Sequence, residues 1–406
     1  MRRKLPLFDD KARTDPEPSY ARESTYAFLD RVDDPIFVAV REVLNAWVDR
    51  FASLQDDTAA NDLVGRLRSK DDIAFYAAFW ELYLHELFVR LGFNIEVHPE
   101  SGKDTRPDFR MTREGREMYL EAVMPNPRAG RSNESKGSKT VIEYIDAAFD
   151  PDFSLSVRFV AGSGSVPSKK EVVRGVEGWL ANLTWTEPSE AGLDPRSPRP
   201  ETELRVRDWV IGVRAWPRPL DRRGDRKFPM IVTYPAMSGY PAAVSAGITP
   251  VLDEKASKYG DLKAPYILAV WVMSAMASES TPAEALFGIA LPIGDGTHST
   301  GLPLTVDERD GLWAPTRPGR LSAVLSANSM HFNYSAVSRY LPRIWHNPWA
   351  LHPANEDLPF GASRVSQDET SITNDPPTAS PSALFELPAD WPGDPFACLN
   401  RRKAAS

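Results

Sequence analysis

The chain has almost no cysteine: Cys398 is the only one in 406 residues. That excludes an intrachain disulfide and any zinc site built on cysteine pairs. Histidine is nearly as scarce, with six copies and no paired zinc-ligand spacing. No apolar run approaches the roughly 20 residues that span a bilayer. Arg2, Arg3 and Lys4 are followed by no apolar stretch of the kind a secretory signal carries. A cytoplasmic protein without a membrane partner is expected. Two familiar catalytic loops are missing as well. Ala243 stands where a nucleophile elbow around Ser245 needs its first glycine, and the stretch from Gly162 to Lys169 lacks the spacing of a phosphate-binding loop. The net charge of −8 provides no global basic field, so any affinity for nucleic acid must come from local clusters.

What is present is enough apolar residue, 42%, for a sizeable core. Residues 1–24 are charged and proline-containing and read as a flexible arm. Residues 25–70 read as a helical extension, with Phe28, Val32, Ile36, Val40, Leu44, Trp47 and Phe51 at helical spacing. Residues 71–350 read as an α/β domain with insertions, and 351–406 as a largely irregular tail, of which 361–383 has the composition of disorder. Within the domain, strands are expected at Phe153–Val160, Leu204–Val213, Pro229–Tyr234 and Tyr266–Val272. Helices are expected at Ile142–Phe149, Ser168–Leu183 and Ile248–Tyr259, and a loop at 126–140.

The most informative stretch runs from residue 71 to 123. Ile73, Tyr76, Ala77, Trp80, Leu84, Leu87, Phe88 and Leu91 keep the spacing of a core-facing helix, with Asp71 and Asp72 in its first turn and Gly92 after its end. Glu81 lies on the apolar stripe, where a carboxylate needs a partner. His85, one turn on, or a metal-bound water could supply it; Glu86 reads as solvated. Asp108–Met111 and Tyr119–Ala122 alternate as half-buried strands do, and Glu114–Gly115 suits a two-residue hairpin turn. That turn sets Arg113 opposite Arg116 and, five steps back along the hairpin, Asp108 opposite Glu121. Two like charges so close need a cation or a shared proton between them. A hard divalent ion with oxygen ligands, Mg²⁺ or Mn²⁺, fits such a pair, and so does a solvated hairpin face neutralised by Arg110, Arg113 and Arg116.

The order helix with Glu81, Gly92–Phe93, strand Asn94–His98, Pro107–Asp108, then Glu121 resembles the PD-(D/E)XK, or restriction-endonuclease-like, nucleases. The helix–strand pair Lys255–Trp271 looks like a later part of the same fold in bacterial members. The resemblance implies a mixed central sheet flanked by helices. It also implies a metal-dependent endonuclease acting on DNA phosphodiesters, in restriction, repair or phage defence, as a homodimer or with partner proteins of a defence system. Asp108, Glu121 and the carbonyl of Ala122 would hold the metal, and Glu81 a metal-bound water or second ion. One position departs: the motif lysine is Val123 here. Lys258, then Lys255, on one face of a helix, are the expected replacements, with Lys136 and Lys139 behind them. The alternative is a nuclease-fold protein that binds nucleic acid or a partner without cutting.

Two basic clusters are expected to meet DNA. Arg128, Arg131, Lys136 and Lys139 follow Glu121 in a Gly/Ser-rich stretch. Arg222, Arg223 and Arg226 lie in the densest basic run, 214–227.

Overall fold

The computed structural model describes residues 6–17, 19, 23–100, 106–125, 132–162, 165–186, 199–218, 220, 223–226, 230–233, 241–260, 262–272, 281–288, 302–303, 311–315, 319–328, 334–354, 357–365 and 371–393. They form two compact units. The larger draws on 6–17, 24–125 and 241–393; the smaller is the segment 126–240, joined by residues 19–23.

The larger unit opens with four helices, α1 (Thr25–Arg31), α2 (Pro35–Leu54), α3 (Asp57–Leu67) and α4 (Asp72–Arg90). Ser24, Asp34, Asp56 and Asp71 cap them, each side chain accepting a first-turn backbone N–H. Strands β1 (Asn94–Val97), β2 (Phe109–Arg113) and β3 (Arg116–Val123) follow as an antiparallel meander. Glu114 and Gly115 form the β2–β3 turn, both with positive φ (52° and 75°), a conformation that glycine adopts freely.

The smaller unit contains α5 (Ser132–Asp146), β4 (Phe153–Gly162), α6 (Lys169–Leu180), β5 (Glu201–Val206), β6 (Trp209–Pro217) and β7 (Ile231–Thr233). Its sheet runs β5-β6-β4-β7, antiparallel except for the β4–β7 pair. Two expectations are corrected here. The stretch expected to be a strand over Leu204–Val213 is a hairpin turning at Arg207, whose φ is 54°. Helix α5 begins ten residues ahead of the expected Ile142, inside the stretch read as a loop.

The chain then returns to the larger unit with α7 (Pro241–Lys258), β8 (Tyr266–Val272), α8 (Thr281–Phe287), β9 (Leu302–Pro303), β10 (Leu321–Asn328), β11 (Arg343–His346), β12 (Gly361–Val365), β13 (Ser371–Asp375) and α9 (Pro381–Phe385). The unit is α/β, with its helical N-terminal region against one mixed sheet of order β1-β2-β3-β8-β10-β11-β12-β13-β9. The central pairs β3–β8 and β8–β10 are parallel. All seven residues of β8 are buried, as a parallel strand covered on both faces requires.

Strand alternation sorts the core into two layers. Met118 and Leu120 of β3, with Ile267, Ala269 and Trp271 of β8, face α2, α3 and α4. Tyr119 and Val123, with Tyr266, Leu268 and Val270, face Ile248 and Leu252 of α7. Helix α4 is buried on several sides at once: Phe75, Phe79, Tyr83 and Leu87 are as covered as Trp80, whose indole N–H donates to the Ala269 carbonyl at 2.9 Å. Ile73, expected in its core stripe, is 44% exposed at the first turn.

Both termini of the larger unit are more ordered than their composition implies. In the stretch read as a flexible arm, Leu7 and Phe8 are buried, and the Asn45 side chain bonds both backbone groups of Phe8 at 2.9 and 3.0 Å. In the stretch read as disordered, β12 and β13 join the sheet. Their pairing is backbone-driven, and Arg343 lies across them, donating to the carbonyls of Ala362 (3.1 Å) and Asp375 (3.3 Å). A Cβ on Gly361 would sit 3.0 Å from that guanidinium, so the small residues of β12 make room for it. No helix among the described residues is long and apolar enough to cross a membrane.

Candidate functional site

The β2–β3 ladder holds Phe109 opposite Leu120, so the next step outward sets Asp108 against Glu121, as the turn position implies. Phe109 and Leu120 point into the helical layer. Asp108 and Glu121, one residue away on each strand, therefore face α7. Glu121 is 2% exposed, flanked on its face by the buried Tyr119 and Val123.

A carboxylate buried so deeply needs donors, and α7 supplies them. Lys255 Nζ lies 3.0 Å and Lys258 Nζ 2.9 Å from the same atom, Glu121 Oε1. The Tyr259 hydroxyl donates to Glu121 Oε2 and also lies 2.9 Å from the Arg106 carbonyl. Helical spacing explains the convergence. Ile248, Leu252, Lys255 and Tyr259 recur every three or four residues along one stripe, so the face that packs its apolar half on β3 and β8 ends in polar groups above Glu121. Val123 sits beneath Ile248 and Leu252 in that apolar half. A lysine there would place its ammonium in apolar surroundings. The cations come from the covering helix instead of the strand.

Asp108 is held differently. Its Oδ2 accepts the Ala122 N–H at 2.7 Å, and Oδ1 has no protein partner among the described residues. Burial, then the charges of Glu121 and Glu81, push its carboxyl up to about 8, against the Ala122 N–H and Lys258, which pull it down. For Lys255, burial favours the neutral form, but the hydrogen bond and charge of Glu121 outweigh it and hold the ammonium protonated. Burial and then Glu121 raise Tyr259, so its proton stays on the phenol. Burial and Glu121 raise Tyr266 too, whose ring meets that of Tyr259 edge-on at 5.5 Å.

Several expected contacts are replaced by others. Glu81 reaches neither His85 nor the Glu121 oxygens. Arg66 of α3 grips it with two parallel bonds of 2.6 Å. His85 instead meets Gln55 at 3.1 Å. Glu86, expected to be solvated, is fully buried between Arg90 (2.6 Å) and Arg50 (3.3 Å). The hairpin arginines do not neutralise the carboxylate pair: Arg110 pairs with Glu96, Arg116 with Glu114, and Arg113 stacks on Phe93. Ala122 lies past the last β2 pair but inside the β8 ladder.

Of the residues expected to meet DNA, Arg128, Arg131 and Arg222, and the side chains of Lys136 and Lys139, lie outside the described residues. Arg223 pairs with Asp152 and stacks 4.1 Å from the Trp185 ring; Arg226 is exposed and stacks 4.1 Å from Phe149. The neighbouring Arg218 is buried, its guanidinium spent on the carbonyls of Phe153 and Asp225.

Tyr259 and Arg66 are the two site residues that sequence reasoning missed. Tyr259 had a usable signal, a polar-tipped aromatic one residue past Lys258 and four past Lys255. Arg66 had none, because only the packing of α3 on α4 brings it to Glu81. Among the described residues no group of three or more acidic, histidine or cysteine side chains is gathered as a metal cage would need. The hard oxygens of Asp108 and Glu121 are of the kind a divalent ion takes, and Asp108 Oδ1 has no protein partner among the described residues. No protein-family model, curated protein or solved structure matches the chain.

Proposed function

We propose that the protein is a Mg²⁺- or Mn²⁺-dependent nuclease that hydrolyses DNA phosphodiesters, on a core of the restriction-endonuclease type. One observation carries this. Two lysines from α7 meet Glu121 opposite Asp108, which restores in space the acid–acid–lysine combination that Val123 breaks in sequence. A bound divalent ion supplies a lowered water pKa and charge neutralisation at phosphate. Asp108 and Glu121 are the residues that would hold it. Lys258 and Lys255, about a third exposed, present N–H donors toward solvent, where a phosphate oxygen gains negative charge during attack. Tyr259 fixes the Glu121 carboxylate from its other oxygen. Glu81, neutralised by Arg66, adds field at Asp108 without being a ligand. Restriction, repair and phage defence are all compatible settings, and Arg222 and Arg226 belong to a segment suited to phosphate contacts.

A second reading has its own support. Both oxygens of Glu121 already hold protein donors, as in a nuclease fold that keeps its shape and binds nucleic acid or a partner without cutting. Incubating the protein with supercoiled plasmid separates the two. Nicked or linear product with Mg²⁺ or Mn²⁺, absent with EDTA and in Asp108→Ala, is expected of the nuclease. Retarded but intact plasmid in every metal would favour the second reading.

A further inference from the structure

The charge arithmetic around Glu121 is unusual. A single ammonium neutralises a single carboxylate, yet two ammoniums converge on one oxygen, Oε1, while the adjacent Asp108 has no ion-pair partner among the described residues. Together, Lys255 and Lys258 bring two positive charges to the Asp108–Glu121 pair, the charge a divalent ion would bring. Tyr259 completes the enclosure. Its hydroxyl has one proton and two acceptors in reach, Glu121 Oε2 and the Arg106 carbonyl, so it can turn to the carbonyl without leaving a donor unpaired. Both lysine side chains keep about a third of their surface in solvent, which gives each ammonium somewhere to go.

We propose that Lys255 and Lys258 act as an internal stand-in for the divalent cation, so that cation loading is an exchange. The ion would take Glu121 Oε1 and Asp108, whose carboxyl gives up its proton to solvent, the Tyr259 proton turns to Arg106, and the two ammoniums are released as a paired site for an anionic phosphate oxygen. The exchange rests on the cation-binding reading above, but not on cleavage. It has two consequences. The lysines and the ion compete for Glu121, so removing the lysines tightens ion binding. The ion also frees the lysines, so it strengthens phosphate binding, and phosphate strengthens ion binding by the same factor.

The test is calorimetric titration of Mn²⁺ into the full chain, as wild type, Lys255→Met/Lys258→Met and Tyr259→Phe. Methionine keeps an apolar stem for α7 to pack on, and phenylalanine keeps the ring on Tyr266. Melting curves check that each variant is folded. The double methionine variant is expected to bind Mn²⁺ about tenfold or more tightly than wild type, the loss of competing charge-assisted hydrogen bonds. Tyr259→Phe, which loses one hydroxyl from the competing state, is expected to tighten binding by a smaller factor. In wild type, inorganic phosphate should bind more tightly with Mn²⁺ present, and the double variant should lose that gain. Equal or weaker Mn²⁺ affinity in both variants, or no Mn²⁺ binding by any form, overturns the exchange. Plasmid cleavage is scored separately. A cleaving wild type whose variants do not gain Mn²⁺ affinity keeps the nuclease and loses the exchange, and the converse pattern keeps the exchange and loses the nuclease.

Discussion

Lys258 Nζ lies 2.9 Å from Glu121 Oε1 across 137 residues of chain. The contact joins the end of the covering helix α7 to the middle of the sheet's hairpin strand. It turns a buried carboxylate that would otherwise be a liability into the centre of a charged cluster. Turnover should depend on the lysine itself. Lys258→Met is expected to lower kcat for plasmid cleavage by about 10²-fold or more, as for the loss of one transition-state donor. Lys255→Met should lower it less, and the double variant at least as much as Lys258→Met. Full activity in the double variant would move the cationic role to Lys136 or Lys139.

The Asp108 carboxyl sets a stability trend with a definite sign. Its proton is held more tightly in the native state than in the unfolded chain, because burial and the charges of Glu121 and Glu81 disfavour the carboxylate. The resulting stabilisation is full below about pH 4 and is lost as pH rises through about 8. Asp108→Asn removes the charge and should leave the metal-free protein roughly 1–3 kcal/mol more stable than wild type at pH 9, with little difference at pH 4. Melting curves in EDTA at the two pH values give the answer, and a variant less stable at pH 9 would refute this role for Asp108.

His85 acts in the opposite direction. Burial, then Arg50, lowers its ring to about 4 from the usual 6.5, so the unfolded chain takes up a proton that the native state refuses. Stability is full above pH 6.5 and is lost as pH falls toward 4, by about 2 kcal/mol at pH 5 from this residue alone. His346, lowered to about 4 by burial and Arg364, adds a loss of the same sign. His85→Gln should show a smaller drop in melting temperature between pH 7 and pH 5 than wild type. An unchanged drop would mean that His85 is not the group responsible.

In the smaller unit, Arg223 is committed to an ion pair with Asp152 and to Trp185, whereas Arg226 has no ion pair among the described residues and lies with its guanidinium over the face of Phe149. Replacing Arg222 and Arg226 with Glu should therefore weaken DNA binding without unfolding the unit. It should also reduce the slope of log affinity against log salt by about 0.9 for each phosphate no longer neutralised. Fluorescence anisotropy at several salt concentrations measures both. An unchanged affinity and slope would make this segment an ordinary solvated loop.

How far the sequence carried depended on how local each signal was. The hairpin register was legible because the Glu114–Gly115 turn and the flanking alternation are fixed within a dozen residues. Strand β8 was legible because a strand buried on both faces is apolar throughout. The lysine pair was reachable because Lys255 and Lys258 share a helical face, although their contact with Glu121 depends on how α7 lies over β3. Nothing near Glu81 signals Arg66, since their pairing is made by two helices packing. Glu86 looked solvated because its burial depends on α2, whose Arg50 only the fold brings to it; Arg90, one turn on in the same helix, was its local partner. The strands β12 and β13 escaped notice because backbone pairing under Arg343 needs no apolar pattern, and small polar residues read as disorder. Leu7 and Phe8 were hidden by the charged residues around them, though two apolar side chains and the Asn45 amide suffice to dock the segment.

The most direct measurement is the anomalous difference density of crystals grown metal-free and soaked in Mn²⁺. The expected result is a single strong peak between Asp108 Oδ1 and Glu121 Oε1, with the ammonium groups of Lys255 and Lys258 withdrawn from Glu121 relative to the metal-free crystal. An empty map there, with both lysines still on Glu121 at millimolar Mn²⁺, would contradict both the metal centre and the nuclease built upon it.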